Sequence, residues 1–129
     1  MPDTLIPFER LVDRQSITDY AVLTNDFNPI HVDPGFAANT PFGDVIAHGT
    51  MSVALIWQSL AKTLGDSAIA GMVLDIRFFK PVRVGDRVCG GGELRSGSPT
   101  AVYDVWVKNQ NGEVLIGGTA AIDCVKEHL

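Results

Sequence analysis

The chain has 129 residues, 46% of them hydrophobic, which is enough for one core without disulfides or a structural metal. Fifteen acidic against ten basic residues give a net charge of -5, which argues against a nonspecific grip on nucleic acid or an anionic membrane, since both need a basic face. No stretch approaches the roughly eighteen uninterrupted apolar residues of a membrane span, and Met1-Pro2-Asp3-Thr4-Leu5 lacks the basic and apolar parts of a secretory signal, so a cytoplasmic protein with a single domain over residues 1–129 is expected.

In chain order, Ser16 followed by Asp19 suggests the cap of a short helix over residues 17–24. That helix must end before Asn28-Pro29, because the proline ring clashes with a helical residue preceding it. Asp33-Pro34 reads as a cap with proline in the first helical position, opening a brief helix through Phe36-Ala37-Ala38. Thr50 is a plausible cap for a longer helix over residues 51–64, with Gly65 as its stop. This helix is apolar on most sides, leaving a thin polar stripe of Ser52, Ser59 and Lys62, so it belongs in the middle of the molecule. From residue 69 the period changes to two, and strands are expected near residues 72–79, 87–94, 101–109 and 113–125. Asn111-Gly112 predicts a hairpin turn, since both residues tolerate positive φ. The connections are too short for crossover helices, so an α+β fold is expected in which an antiparallel sheet packs on one buried helix. Cys89 and Cys124 are the only cysteines, too few for a zinc or dithiol motif, and read as two buried thiols.

Two polar clusters could carry chemistry. In Asp26-Phe27-Asn28-Pro29-Ile30-His31-Val32-Asp33, a turn at Pro29 could bring the Asp26 carboxylate and the His31 imidazole to one side, the pairing that holding and deprotonating a water requires. The plainer alternative is an Asx turn at Asp26 and Asn28, with His31 a partly exposed loop residue. The second cluster is Ile46-Ala47-His48-Gly49-Thr50-Met51 at the start of the long helix. Unpaired N–H groups there stabilise negative charge developing on oxygen, and Gly49 admits a close approach to the backbone; an ordinary glycine-containing cap with His48 at the core edge is the alternative. His31, Asp33 and His48 are metal-ligand types, but one carboxylate between two histidines of undefined separation is a weak pattern, and no metal is expected. Arg77, Lys80, Arg83 and Arg87 concentrate positive charge in an acidic chain, either as solvated strand ends or as a patch for phosphates. His128 lies in a polar tail.

Taken together, Thr24-Asn25-Asp26-Phe27-Asn28-Pro29-Ile30-His31-Val32-Asp33, then Ala47-His48-Gly49, then Phe79-Lys80-Pro81-Val82-Arg83-Val84-Gly85-Asp86 closely resemble the MaoC-like, (R)-specific enoyl-CoA hydratases over about residues 8–125. The resemblance implies a hotdog fold, a curved antiparallel sheet wrapped around a long central helix, and dimers in which paired sheets become continuous. It implies Asp26 and His31 as the catalytic pair, Asn28 as a supporting polar residue and Gly49 as the oxyanion-hole donor. Asn25 stands where the family usually has glycine, and asparagine is the best substitute if positive φ is needed there.

The expected activity is reversible addition of water to a trans-2-enoyl-CoA, giving an (R)-3-hydroxyacyl-CoA, with no cofactor because the thioester itself acidifies C2. The expected assembly is a homodimer. Asn28, His48, Trp57, Arg77, Lys80, Arg83 and Arg87 are the candidate substrate contacts, Trp57 either limiting a short acyl pocket or packing the core. A hotdog acyl-CoA thioesterase or a noncatalytic acyl-binding domain are the alternatives. Asn28-Pro29-Ile30-His31 has no evident purpose in the first, and the second needs neither Asp26 nor His31.

Overall fold

The computed structural model describes residues 1–123; Cys124, Val125 and His128 lie outside them. Five strands, β1 (Phe8–Leu11), β2 (Val73–Phe78), β3 (Arg87–Ser96), β4 (Thr100–Lys108) and β5 (Val114–Asp123), form one sheet in the order β1-β3-β4-β5-β2, and every neighbouring pair is antiparallel. The helices among the described residues are α1 (Arg14–Thr24), α2 (Pro29–Val32), α3 (Pro34–Ala38), α4 (Gly49–Leu64) and α5 (Asp66–Ile69). None of the helices among the described residues is long and apolar enough to cross a membrane.

The long helix α4 lies across one face of the sheet and supplies Met51, Val53, Leu55, Ile56 and Leu60 to the core. Val88, Tyr103, Val105, Val107, Ile116 and Ala120 meet it from the strands. Its approach is close because β3 offers a glycine: a Cβ on Gly90 would lie 2.7 Å from the Leu55 Cβ and 2.9 Å from the Leu55 carbonyl carbon.

The polar stripe expected on α4 is not its outer face. Ser52 and Ser59 are buried, while Ala54, Gln58 and Lys62 are exposed. The reason lies in the N-terminal segment, which carries too little alternation to announce itself: Ser59 Oγ donates to the Ile6 carbonyl at 2.5 Å, and the Ile6 N–H donates to Thr63 Oγ1 at 2.8 Å. The same segment then joins the sheet as β1, whose register pairs Phe8 with Gly90.

Four local expectations are corrected. Helix α1 starts earlier than Ser16 suggested, because Asp13 is the cap: its carboxylate accepts the Ser16 N–H while Ser16 Oγ accepts the Asp13 N–H. Helix α4 is capped at His48 rather than Thr50, with no side-chain hydrogen bond to its end. In the β4–β5 turn only Gly112 has positive φ (76°), since the Asn109 side chain accepts the N–H groups of Asn111 and Glu113 and closes a longer loop. Cys89 is half-buried rather than buried. Asp33 and Pro34 cap and open α3 as expected, the carboxylate accepting the Phe36 N–H at 3.1 Å.

Several exposed carboxylates are held below the usual range. The Ser16 N–H does this for Asp13, the Arg14 guanidinium for Asp44, and the Lys80 ammonium for Glu113. A depressed folded-state value means each contribution is present above the unfolded pKa and lost as pH falls through the folded one. The thermal midpoint should therefore stay level from neutrality to about pH 5 and decline below about pH 4, less steeply in high salt; a midpoint that rises on acidification would contradict this.

Candidate active site

The site is assembled from a helix end, a proline turn and a helix start. Helix α1 ends at Asn25, whose φ of 55° reverses the chain, and the Asp26 N–H then donates back to the Ala21 carbonyl at 3.1 Å. The asparagine thus does what glycine would do, and it delivers Asp26 to the start of the turn. The Asx turn of the plainer reading is present, although His31 lies in α2 and not in a loop. The Asp26 Oδ1 accepts the Asn28 N–H at 3.2 Å, an Asx turn, and the same turn carries the chain to His31. Asn28 accepts the Ile30 N–H at 3.2 Å and caps α2, with Pro29 in the first helical position. It is exposed, and its observed role is to shape the loop.

His31 is fixed from the far side. Its Nδ1 lies 2.7 Å from the Ile46 carbonyl, which can only accept, so Nδ1 is the donor there and, in the neutral ring, Nε2 is the acceptor. The segment bearing Ile46 is itself sewn in place: the Ile46 N–H donates to Ile30, and the Ala47 N–H donates to Val82. His48 stacks on His31 with ring centroids 3.9 Å apart. Asp26, His31 and His48 each bring one oxygen or ring nitrogen to within 4.8 Å of the others. The histidine pair of the sequence pattern is present in this group, but its carboxylate is Asp26; the Asp33 carboxylate is committed to α3.

These residues open onto a cleft of about 510 Å³ whose lining includes Asp26, His31, His48, Gly49, Thr50 and Lys80. Phe42, Phe78, Phe79 and Ile116 give it an apolar wall. Gly49 stands in the first turn of α4, where no side chain caps the N–H groups, and the Phe78 ring presses so close that a Cβ on residue 49 would come within 2.5 Å of it. Thr50, beside it, shares a 2.7 Å hydrogen bond with the Tyr20 hydroxyl.

The other candidates disperse. Trp57 is half-buried against the core and does not line the cleft. Of the four basic residues only Lys80 lines it, paired at 2.5 Å with Glu113. Arg83 donates to the Phe42 carbonyl at 2.6 Å, close to the rim. Arg77 lies on the outer face of the sheet with Asp75 and Asp104, because Leu74 and Ile76 of the same strand face the core. Arg87 is at the opposite edge, paired with Glu9 on β1. Phe42, Phe78 and Phe79 were missed as cleft residues; exposed aromatics in an acidic chain were the available signal.

A model of the MaoC like domain matches residues 4–98. The chain is 33% identical over 109 residues to the (R)-specific enoyl-CoA hydratase of Aeromonas caviae, covering 82% of this chain and 81% of that protein. It is 31% identical over 128 residues to the 3-hydroxyacyl-thioester dehydratase Z of Mycobacterium tuberculosis, covering 92% and 80%. Among solved structures, the A. caviae (R)-hydratase superposes with a TM-score of 0.77 at 29% identity, over 95% of this chain and 96% of that one. The R-hydratase PhaJ1 from Pseudomonas aeruginosa gives 0.77 at 26% identity, over 95% and 81%. The antiparallel sheet around α4 is the hotdog fold.

Proposed function

The chain belongs to the MaoC-like domain family, and from that premise we propose that it is an (R)-specific enoyl-CoA hydratase, adding water reversibly to a trans-2-enoyl thioester. The observation that carries this reading is the facing of Asp26 and His31, whose polar atoms lie within 4.8 Å. A water making two hydrogen bonds of about 2.8 Å spans about 4.6 Å between its partners, a separation within that bound, and in this reading one water is held by both groups.

The Asp26 carboxylate and His31 Nε2 each accept a hydrogen of that water. As its oxygen attacks C3, one proton passes to the pair, and the same proton returns from the same side to C2 through His31. The tautomer sets the order. With the proton on Nδ1 held by Ile46, Nε2 must receive a proton before it can give one. The Gly49 N–H stabilises the negative charge that gathers on the thioester oxygen, and the start of α4 reinforces it. The apolar wall of Phe42, Phe78 and Phe79 suits an acyl chain. No cofactor enters this scheme.

Among the described residues β2 is an edge strand, and the exposure of Val73 and Phe78 on it and of Phe79 just beyond it supports assembly as a homodimer through paired sheets. Chiral analysis of the product from crotonyl-CoA tests the reaction: the (R)-3-hydroxy enantiomer is expected, and the (S) enantiomer would refute it.

The dispersal of the basic residues separates their roles. Lys80→Ala should raise KM for a CoA thioester several-fold and leave a pantetheine-truncated substrate nearly unchanged, because Lys80 is the one of the four whose charge borders the cleft. Arg77→Ala and Arg87→Ala should change neither. Equal effects of Lys80→Ala on both substrates would remove the phosphate contact.

A further inference from the structure

We infer that His48 is a positioning residue, tying Asp26 and His31 to the start of α4 so that the pair and the Gly49 N–H hold one geometry; this rests on the hydratase reading. His48 is 3% exposed where it borders the cleft, and its Nε2 is engaged by backbone. Its Nε2–H donates to the Asp26 carbonyl at 2.9 Å, the backbone group next to the reactive carboxylate. Because that carbonyl only accepts, Nε2 is the donor and, in the neutral ring, Nδ1 is the acceptor, which is buried without a hydrogen-bond partner. The ring lies against His31 at 3.9 Å with planes 24° apart, and Tyr20 tilts against it at 5.0 Å. His48 therefore touches both members of the pair, and it immediately precedes Gly49.

The need for such a tie follows from the loop. Asp26 follows a reversed helix end and is exposed, and the Asx turn to Asn28 fixes its carboxylate only relative to its own loop. His31 is anchored to Ile46 instead. The His48 hydrogen bond spans 22 residues and joins the Asp26 loop to the element that carries the oxyanion donor. An orphaned buried nitrogen is a cost that a packing residue would not carry, since an apolar ring fills the same space.

Two variants split the ring from the donor. His48→Gln keeps an N–H near the Nε2 position without the ring, and His48→Phe keeps a stacked ring without the N–H. Turnover of crotonyl-CoA, thermal midpoint and the backbone 13C shift of the Asp26 carbonyl are measured on the full chain. His48→Phe should lose about 10- to 100-fold in kcat with KM nearly constant, the scale for a displaced reacting group, and its Asp26 carbonyl signal should shift. His48→Gln should restore most of kcat and return that signal toward its original position. A Phe variant with wild-type kcat, or a Gln variant impaired as much as the Phe variant, would overturn the inference. A wild-type chain inert toward enoyl-CoA would instead refute the hydratase reading, and the carbonyl signal would still decide whether the tie exists.

Discussion

Asp26→Asn and His31→Ala should each lower kcat by at least about a hundredfold, the usual scale for losing general acid–base help, while the fold stays intact. The geometry explains why the fold should tolerate them. Asparagine still offers Asp26's side-chain oxygen to the Asn28 N–H, so the Asx turn survives while the charge that draws the proton from water is gone. His31→Ala releases the Ile46 carbonyl, but Ile46 stays held by its own N–H to Ile30 and by its bridge to Arg83. Stability should change little in either variant, whereas turnover collapses. Because both groups act on one water, the double variant should be little worse than the worse single one. Independent, multiplying losses would mean that the two residues do not share that water, and near-wild-type turnover in either variant would remove its role.

The second large effect is structural and falls on Gly90. The helix α4 rests on β3 so closely that an added methyl at residue 90 meets Leu55 at 2.7 Å and its backbone at 2.9 Å. Backbone cannot swing aside as a flexible side-chain end can, so the helix itself must lift from the sheet. Gly90→Ala should cost about 1–3 kcal/mol, the range for overpacking a well-filled core, and lower the thermal midpoint by about 5 °C or more. Gly91→Ala provides the contrast on the next residue. Its Cβ would point to the opposite face and sit 3.4 Å from the Trp106 indole nitrogen, an ordinary contact, so the midpoint should scarcely move. Equal losses in the two variants would show that strand propensity, and not the approach of α4, sets the cost. A lifted α4 would also displace Gly49, so Gly90→Ala should lose activity out of proportion to the fraction unfolded.

What could be read from the residues, and what could not, follows the range of the forces involved. The length of α4 was legible because nothing between Met51 and Leu64 breaks a helix and Gly65 ends it with a φ of 92°. Its buried faces were not, because Ser59 is buried by a hydrogen bond to Ile6, 53 residues away, which no local pattern records. The four later strands announced themselves by alternation, whereas β1, four residues long and mostly exposed, did not. Within the site, the turn between Asp26 and His31 was legible because proline chemistry is local, and their pairing came from the family resemblance. The partner that organises them is not local: His48 reaches Asp26 across 22 residues, and its bond goes to a backbone carbonyl, which carries no sequence signature. Which of the basic residues reach the cleft was not legible for the same reason. Arg77 and Arg87 are close in sequence to Lys80, yet strand alternation turns the first to the outer face and sheet order sends the second to the far edge.

The central claim is that water is added to the C2–C3 bond while the thioester survives. It is tested most directly by following crotonyl-CoA with the purified chain, recording the enoyl absorbance and free thiol in the same cuvette. Absorbance should fall to an equilibrium value with no thiol released, and adding 3-hydroxybutyryl-CoA of the (R) configuration should bring it back; thiol appearing in step with the loss of substrate, or an unchanged absorbance, would contradict the account.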